Sequence, residues 1–258
     1  VWILVQELLD KSLKGPEDVR KALSAPVLGV LPKDPSPLRL GRSAQTEVEE
    51  RLRAARTNVL HALSHGARQV VVVTSAGPRE GASTTAAGLA RVLALSGHRV
   101  VLVGGDLRSP SAVGASGAPG LAEVLVGTAR LSQVLVEGEV PGLELLPAGD
   151  MPGNPSELLG GRNMSDLLHH LAADRIVIID APPVCRFTDA VVLAEYAGGV
   201  LLVARAGRTS AEDLREAALA VGQGGGHMLG VVLTNVSDLG RGSRSAQTAV
   251  THAESATV

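Results

Sequence analysis

Five runs of valine, leucine and isoleucine constrain the fold of this chain more than any other feature. They are "QVVVVTS" (69–75), "RVVLVGGD" (99–106), "RIVIID" (175–180), "GVLLVAR" (199–205) and "LGVVLTNV" (229–236). Each is apolar almost without interruption, the pattern of a strand covered on both faces. Helix-period stretches separate them: "TTAAGLARVLALSG" follows the first and "SAEDLREAALAV" the fourth, the latter opening with a serine cap and an acidic first turn. Strand and helix alternate, which predicts a doubly wound, mostly parallel α/β sheet. The 258 residues are 45% hydrophobic yet include only one each of Phe, Trp and Tyr, so the core must be built from small aliphatic side chains in one large domain.

A formal net charge of −2 gives no general attraction for nucleic acid, which needs a basic face. Cys185 is the only cysteine, so neither an internal disulfide nor a thiolate cluster is available, and a reducing, cytoplasmic compartment fits best. The opening "VWILV" is far shorter than the ~20 residues of a membrane helix. It reads equally as a short buried segment or as the last turns of a membrane span lying upstream. Residues 16–32 predict a short helix and a strand, "SPLRLGRSAQ" (36–45) a linker, and "TEVEERLRAARTNVLHALSHG" (46–66) an amphipathic helix ending at Gly66. The expected organisation is an N-terminal segment and linker over 1–40, a main domain over 41–236 and a flexible tail over 237–258.

The first strand runs into "AGPREGAST" and then a helix, the setting in which a glycine-rich turn becomes a phosphate loop. Gly77, Pro78, Arg79, Glu80, Gly81, Ala82, Ser83 and Thr84 would line it, with backbone N–H groups facing an anion and Ser83 or Thr84 offering a hydroxyl to magnesium. Asp180 and Asp106 end two further strands at the same sheet edge, where such folds bind ligands. Either aspartate alone reads equally as a loop cap; three convergent strand ends favour a site. Elsewhere the signals are weak. His169 and His170 are adjacent and diverge by about 100° on a helix, which rules against joint chelation. Cys185 reads as a buried, inert thiol. Thr188 and Asp189 either line the site or cap the next helix.

The stretches "ERLRAARTN", "VTSAGPREGASTTAAGLA", "VVLVGGDLRSP", "LLPAGDMPGNPSELL", "IVIIDAPPVCRFTDAVVLAEYAGGVLLVARAGRTS" and "LGVVLTNV" occur in an order that resembles the cytoplasmic domain of the bacterial tyrosine kinases (BY-kinases) of capsule and exopolysaccharide assembly. Those kinases are relatives of the deviant-Walker P-loop ATPases that position septa and segregate plasmids. The resemblance covers roughly residues 16–236. It implies ATP and Mg2+ as cofactors, catalytic roles for Asp106, Asp180 and Arg108, and Ser83, Asp106 and Asp180 as the metal-holding set. It also implies a homo-oligomeric ring joined through Glu50, Arg53 and Arg56, a membrane co-polymerase partner, and a place at the cytoplasmic face of the bacterial cell membrane. Charge pairing on a solvated helix face explains the spacing of Glu50, Arg53 and Arg56 equally well.

The chain departs from that pattern at three places. "REGAST" stands where the family has GEGKST, so the phosphate-binding lysine is Ala82, and Gly104 replaces the first aspartate of Asp-x-Asp-x-Arg while Asp106 and Arg108 remain. Lysine occurs only at Lys11, Lys14, Lys21 and Lys33, before the main domain. The tail, which carries the phosphoacceptor tyrosines in the family, has none; the sole tyrosine is Tyr196. Losing one preorganised phosphate contact costs roughly 10²–10³ in rate. The expectation is therefore a protein-tyrosine autokinase by lineage whose activity is weak or lost. Two rivals remain: a pseudokinase serving as a structural or nucleotide-sensing oligomerisation module, and a partitioning-type ATPase, against which the glycine at position 77, where that class places its signature lysine, argues.

Overall fold

The computed structural model describes residues 11–33, 42–64, 68–109, 113 and 117–237. The five apolar runs form β2 (Val70–Ser75), β3 (Val100–Gly104), β6 (Ile176–Asp180), β7 (Gly199–Arg205) and β8 (Met228–Val236). They lie in one eight-stranded sheet of order β1-β8-β7-β2-β6-β3-β5-β4. Every pairing is parallel except that of β4 (Val136–Glu137) with β5 (Leu143–Leu146). The doubly wound, mostly parallel expectation holds. The β5 and β4 edge was not foreseen.

Alternation along each strand divides the interior in two. Val70, Val72, Val101, Val103, Val177 and Ile179 point to one face, where α7 (Arg162–Leu171), α8 (Asp189–Ala194) and α9 (Ala211–Gln223) cover them. Val71, Val73, Val100, Leu102, Ile176 and Ile178 point to the other, under α2 (Arg42–Leu63) and α3 (Ala82–Leu95). An unbroken apolar run is thus what a strand needs when both faces are dry.

Helix α1 (Pro16–Ala22) and β1 (Val27–Pro32) stand where residues 16–32 predicted a helix and a strand, and β1 pairs with β8 as an edge of the same sheet. Helix α2 begins at Arg42, inside the stretch read as linker, while residues 34–41 and the tail beyond 237 lie outside the described residues, as does "VWILV". Among the described residues no helix is long and apolar enough to cross a membrane. The cap of α9 forms as its sequence predicts, Ser210 Oγ accepting from Asp213 N at 3.0 Å and Ser210 N donating to Asp213 Oδ2 at 3.0 Å. Three further helices, α4 (Leu121–Val126), α5 (Leu131–Val134) and α6 (Pro155–Leu159), complete the β3 side.

Parallel pairing carries the C-terminal ends of β2, β3, β6, β7 and β8 to one edge. Strand β2 sits between β6 and β7, where the chain's winding reverses direction, and there a doubly wound sheet opens its crevice.

Candidate functional site

The loop from Ser75 to α3 is held from within. Ser75 Oγ donates to Gly77 O at 2.8 Å, and the Glu80 carboxylate turns inward, accepting from Gly77 N at 3.0 Å and Thr209 Oγ1 at 2.7 Å. Thr234 Oγ1 donates to Glu80 O at 2.6 Å, and an Arg205 guanidinium nitrogen donates to Arg79 O at 3.1 Å. Burial raises the Glu80 pKa, and the Gly77 and Thr209 hydrogen bonds oppose that rise. Gly81, with φ of 99°, turns the chain into α3, and a side chain there would press on Thr234. The free N–H groups of this turn and the first turn of α3 form an anion cradle.

Ala82 is the first residue of α3, its methyl only 9% exposed. Ser83 follows and donates to Asp180, the last residue of β6. Asp180 is 4% exposed, and its Oδ1 is buried without a hydrogen-bond partner. Desolvation, with a smaller contribution from the Asp106 charge, pushes its pKa up to about 7 against the bond from Ser83. Asp106 lies just past β3, its Oδ1 accepting from Arg108 N at 3.1 Å and Ser109 N at 3.0 Å, and burial raises its pKa as well. A hydroxyl and two carboxylates, one with an orphaned oxygen, fit a hard divalent cation shared with phosphates. No group of three or more His, Cys, Asp and Glu gathers as a ready-made cage among the described residues, so the protein alone does not complete a coordination sphere.

The β3 end is organised differently. Gly104 is paired with Asp180, and a Cβ on it would lie 2.8 Å from the backbone N of Ala148. The segment after β5 lies close against Gly104, at the position where the resemblance places a carboxylate. Arg108 reaches sideways: its Nε and one terminal nitrogen bind the two oxygens of fully buried Asp189 at 2.6 and 3.1 Å, and the same terminal nitrogen donates to Ser156 Oγ at 3.2 Å. Its guanidinium carbon stacks 4.5 Å from the centroid of Phe187, and Ser156 also donates to Asp189. Of the two readings for Thr188 and Asp189, Asp189 thus takes a third role as the anchor of Arg108.

Sequence reading passed over Arg205, Thr209 and Thr234, although "LLVARAGRTS" and "LTNV" end at the same sheet edge; no spacing shows that they reach a loop more than 120 positions away. Cys185 corrects an expectation: it is exposed, not buried. Its thiol is inert for another reason, since desolvation and the nearby Glu216 and Asp213 push its pKa up to about 11. Glu50 and Arg53 pair with each other at 2.8 Å on the exposed face of α2. Arg56 is half-buried and its Nε has no partner among the described residues.

A central-strand phosphate loop in a doubly wound parallel sheet defines a P-loop α/β protein of the deviant-Walker type. The septum site-determining protein MinD of Pyrococcus horikoshii shares this fold at a TM-score of 0.52 and 20% identity, over 64% of this chain and 69% of MinD. No family model matches the chain. The tyrosine-protein kinase YwqD of Bacillus subtilis is 36% identical over 188 residues, 71% of this chain and 79% of YwqD, and the chain belongs to the family of bacterial tyrosine-protein kinases. The kinase domain of Escherichia coli tyrosine kinase ETK superposes with a TM-score of 0.80 at 27% identity, over 89% of this chain and 97% of that domain. The tyrosine-protein kinase ptk of Acinetobacter johnsonii is 29% identical over 251 residues, 90% of this chain, which spans only 34% of the length of ptk.

Proposed function

We propose that this chain is the nucleotide-responsive domain of a polysaccharide co-polymerase that retains the scaffold of a tyrosine autokinase and has lost most of its phosphoryl transfer. One observation carries the reading: the loop keeps its backbone cradle and its partners Ser83, Asp106 and Asp180, while position 82, the family's lysine, is a methyl group. MgATP is the ligand that the lineage supplies. Backbone N–H groups at Gly81 to Ser83 bind its phosphates, and the Ser83 hydroxyl with the unpartnered Asp180 oxygen holds Mg2+, which neutralises charge on the phosphate oxygens. What the site lacks is the cation that stabilises charge building up during transfer, a deficit of roughly 10²–10³ in rate.

Tyr196 is the one tyrosine of the 258 residues. It sits before β7 and donates its hydroxyl to Gly160 O at 2.9 Å. Seven residues of β7, about 20 Å of strand, separate that end of the sheet from the loop. Self-phosphorylation at Tyr196 within one copy is out of reach. The module acts instead by assembly at the cytoplasmic face of the membrane, as a ring of copies beside a membrane co-polymerase segment in capsule or exopolysaccharide synthesis.

Incubation of the chain with MgATP followed by phosphotyrosine detection tests the reading. We expect no signal from the chain alone, and none from Ala82→Lys without an added tyrosine-bearing substrate. A strong signal on the unmodified chain overturns the loss of transfer.

A further inference from the structure

We infer that Arg79 grips the phosphates of the bound nucleotide in place of a lysine at position 82; the inference rests on the nucleotide reading above. Two carboxylates, Asp106 and Asp180, already face the cradle, and Asp180 keeps a buried oxygen without a partner beside the first turn of α3. A magnesium-bound nucleoside diphosphate or triphosphate still carries net negative charge, so this site needs a protein cation. Two arginines of the site are already engaged: Arg108 is bound to Asp189, and Arg205 holds Arg79 O and Asn235 Oδ1. Arg79 is exposed and has no partner for its side chain among the described residues.

Its backbone supplies the second argument. Arg79 has φ of 61°, and the one other non-glycine residue with positive φ among the described residues is Asn235. Asparagine tolerates that region; arginine does not, and glycine, the family's residue here, would remove the strain at once. The Arg205 bond to the Arg79 carbonyl and the Thr234 bond to the Glu80 carbonyl hold the turn in place regardless. An arginine in a left-handed turn, three residues upstream of Ala82 and with its side chain unengaged among the described residues, is the cation this loop itself supplies. Its planar fork also takes phosphate oxygens two at a time.

Calorimetric titration with MgADP, paired with thermal melting, tests this on the whole chain, Arg79→Gly, Arg79→Gln and the Arg79→Gly/Ala82→Lys double variant. Both single variants should bind about tenfold more weakly, the worth of one charge-assisted hydrogen bond. Arg79→Gly should at the same time melt higher than the parent, and the double variant should recover the affinity. Unchanged affinity in both single variants overturns the role of Arg79 and leaves the nucleotide reading standing. Affinity that falls together with melting temperature in both overturns it too, as collapse of the loop. No binding of MgADP by any of the four proteins overturns the nucleotide reading and this inference together, whereas binding by the double variant alone refutes Arg79 while leaving the cradle intact.

Discussion

The phosphate loop and the end of β3 have each lost one side chain that the family motif contains, and the two losses differ in kind. At the loop the backbone is as a nucleotide would require it, with Gly81 turned, Glu80 braced and the first turn of α3 open, and only the side chain beyond Cβ at Ala82 is missing. At β3 the surroundings are tight: Ala148 backbone lies where a Cβ on Gly104 would press, and Arg108 is bound to Asp189 and stacked on Phe187. The two positions therefore differ in what an added side chain would meet: at Gly104 the first atom beyond Cα already presses on backbone.

The largest effect should come from the β3 side. Asp189→Ala removes two charge-assisted hydrogen bonds from Arg108 and the acceptor of Ser156 at a fully buried position, and we expect a loss of about 3 kcal/mol in denaturant unfolding. A loss under about 0.5 kcal/mol would mean that this pair is no more than a surface ion pair.

Next comes a direct contrast. Gly104→Asp should destabilise by about 1–3 kcal/mol, since a Cβ 2.8 Å from backbone cannot be relieved by a rotamer change. Ala82→Lys, at the rim of the loop, should leave the melting temperature within a few degrees and tighten MgADP binding about tenfold or more. If Gly104→Asp is tolerated as well as Ala82→Lys, the distinction between the two regions fails.

The last contrast is a change of pH slope rather than a loss at one pH, and it concerns Asp180. Its folded pKa of about 7 lies above the ordinary aspartate value of 3.8, so the folded state binds more protons between those limits and this group's contribution to stability falls as pH rises from about 4 to about 7. Asp180→Asn should flatten that slope and raise the melting temperature of the nucleotide-free chain at pH 8 while weakening the Mg2+ dependence of nucleotide binding. An unaltered slope in Asp180→Asn would place the titrating group elsewhere.

The legibility of the chain follows the same divide. The five central strands were plain because a strand buried on both faces must be apolar at every position, as Val70–Val73 and Ile176–Ile179 are. Strand β5, four residues with a half-buried glutamate, carries no such imprint, and β4 is only two residues long. The loop motif and its strand-end acids were legible as a local strand-turn-helix pattern. Its brace was not, since Thr209 and Thr234 are 129 and 154 positions from Glu80.

By itself, then, the sequence determined the layered α/β fold, the position of the loop between an apolar strand and a helix, and the absence of lysine at position 82 and of aspartate at position 104, because apolar runs and side-chain identities are local properties. Only the tertiary structure decided what those losses mean. It closed Ala148 over Gly104, tied Arg108 to Asp189, left Asp180 with a dry unpaired oxygen and held Arg79 in a left-handed turn. Each of these depends on which distant backbone comes within a few ångströms, and burial makes such contacts strong by removing the water that would otherwise screen or replace them.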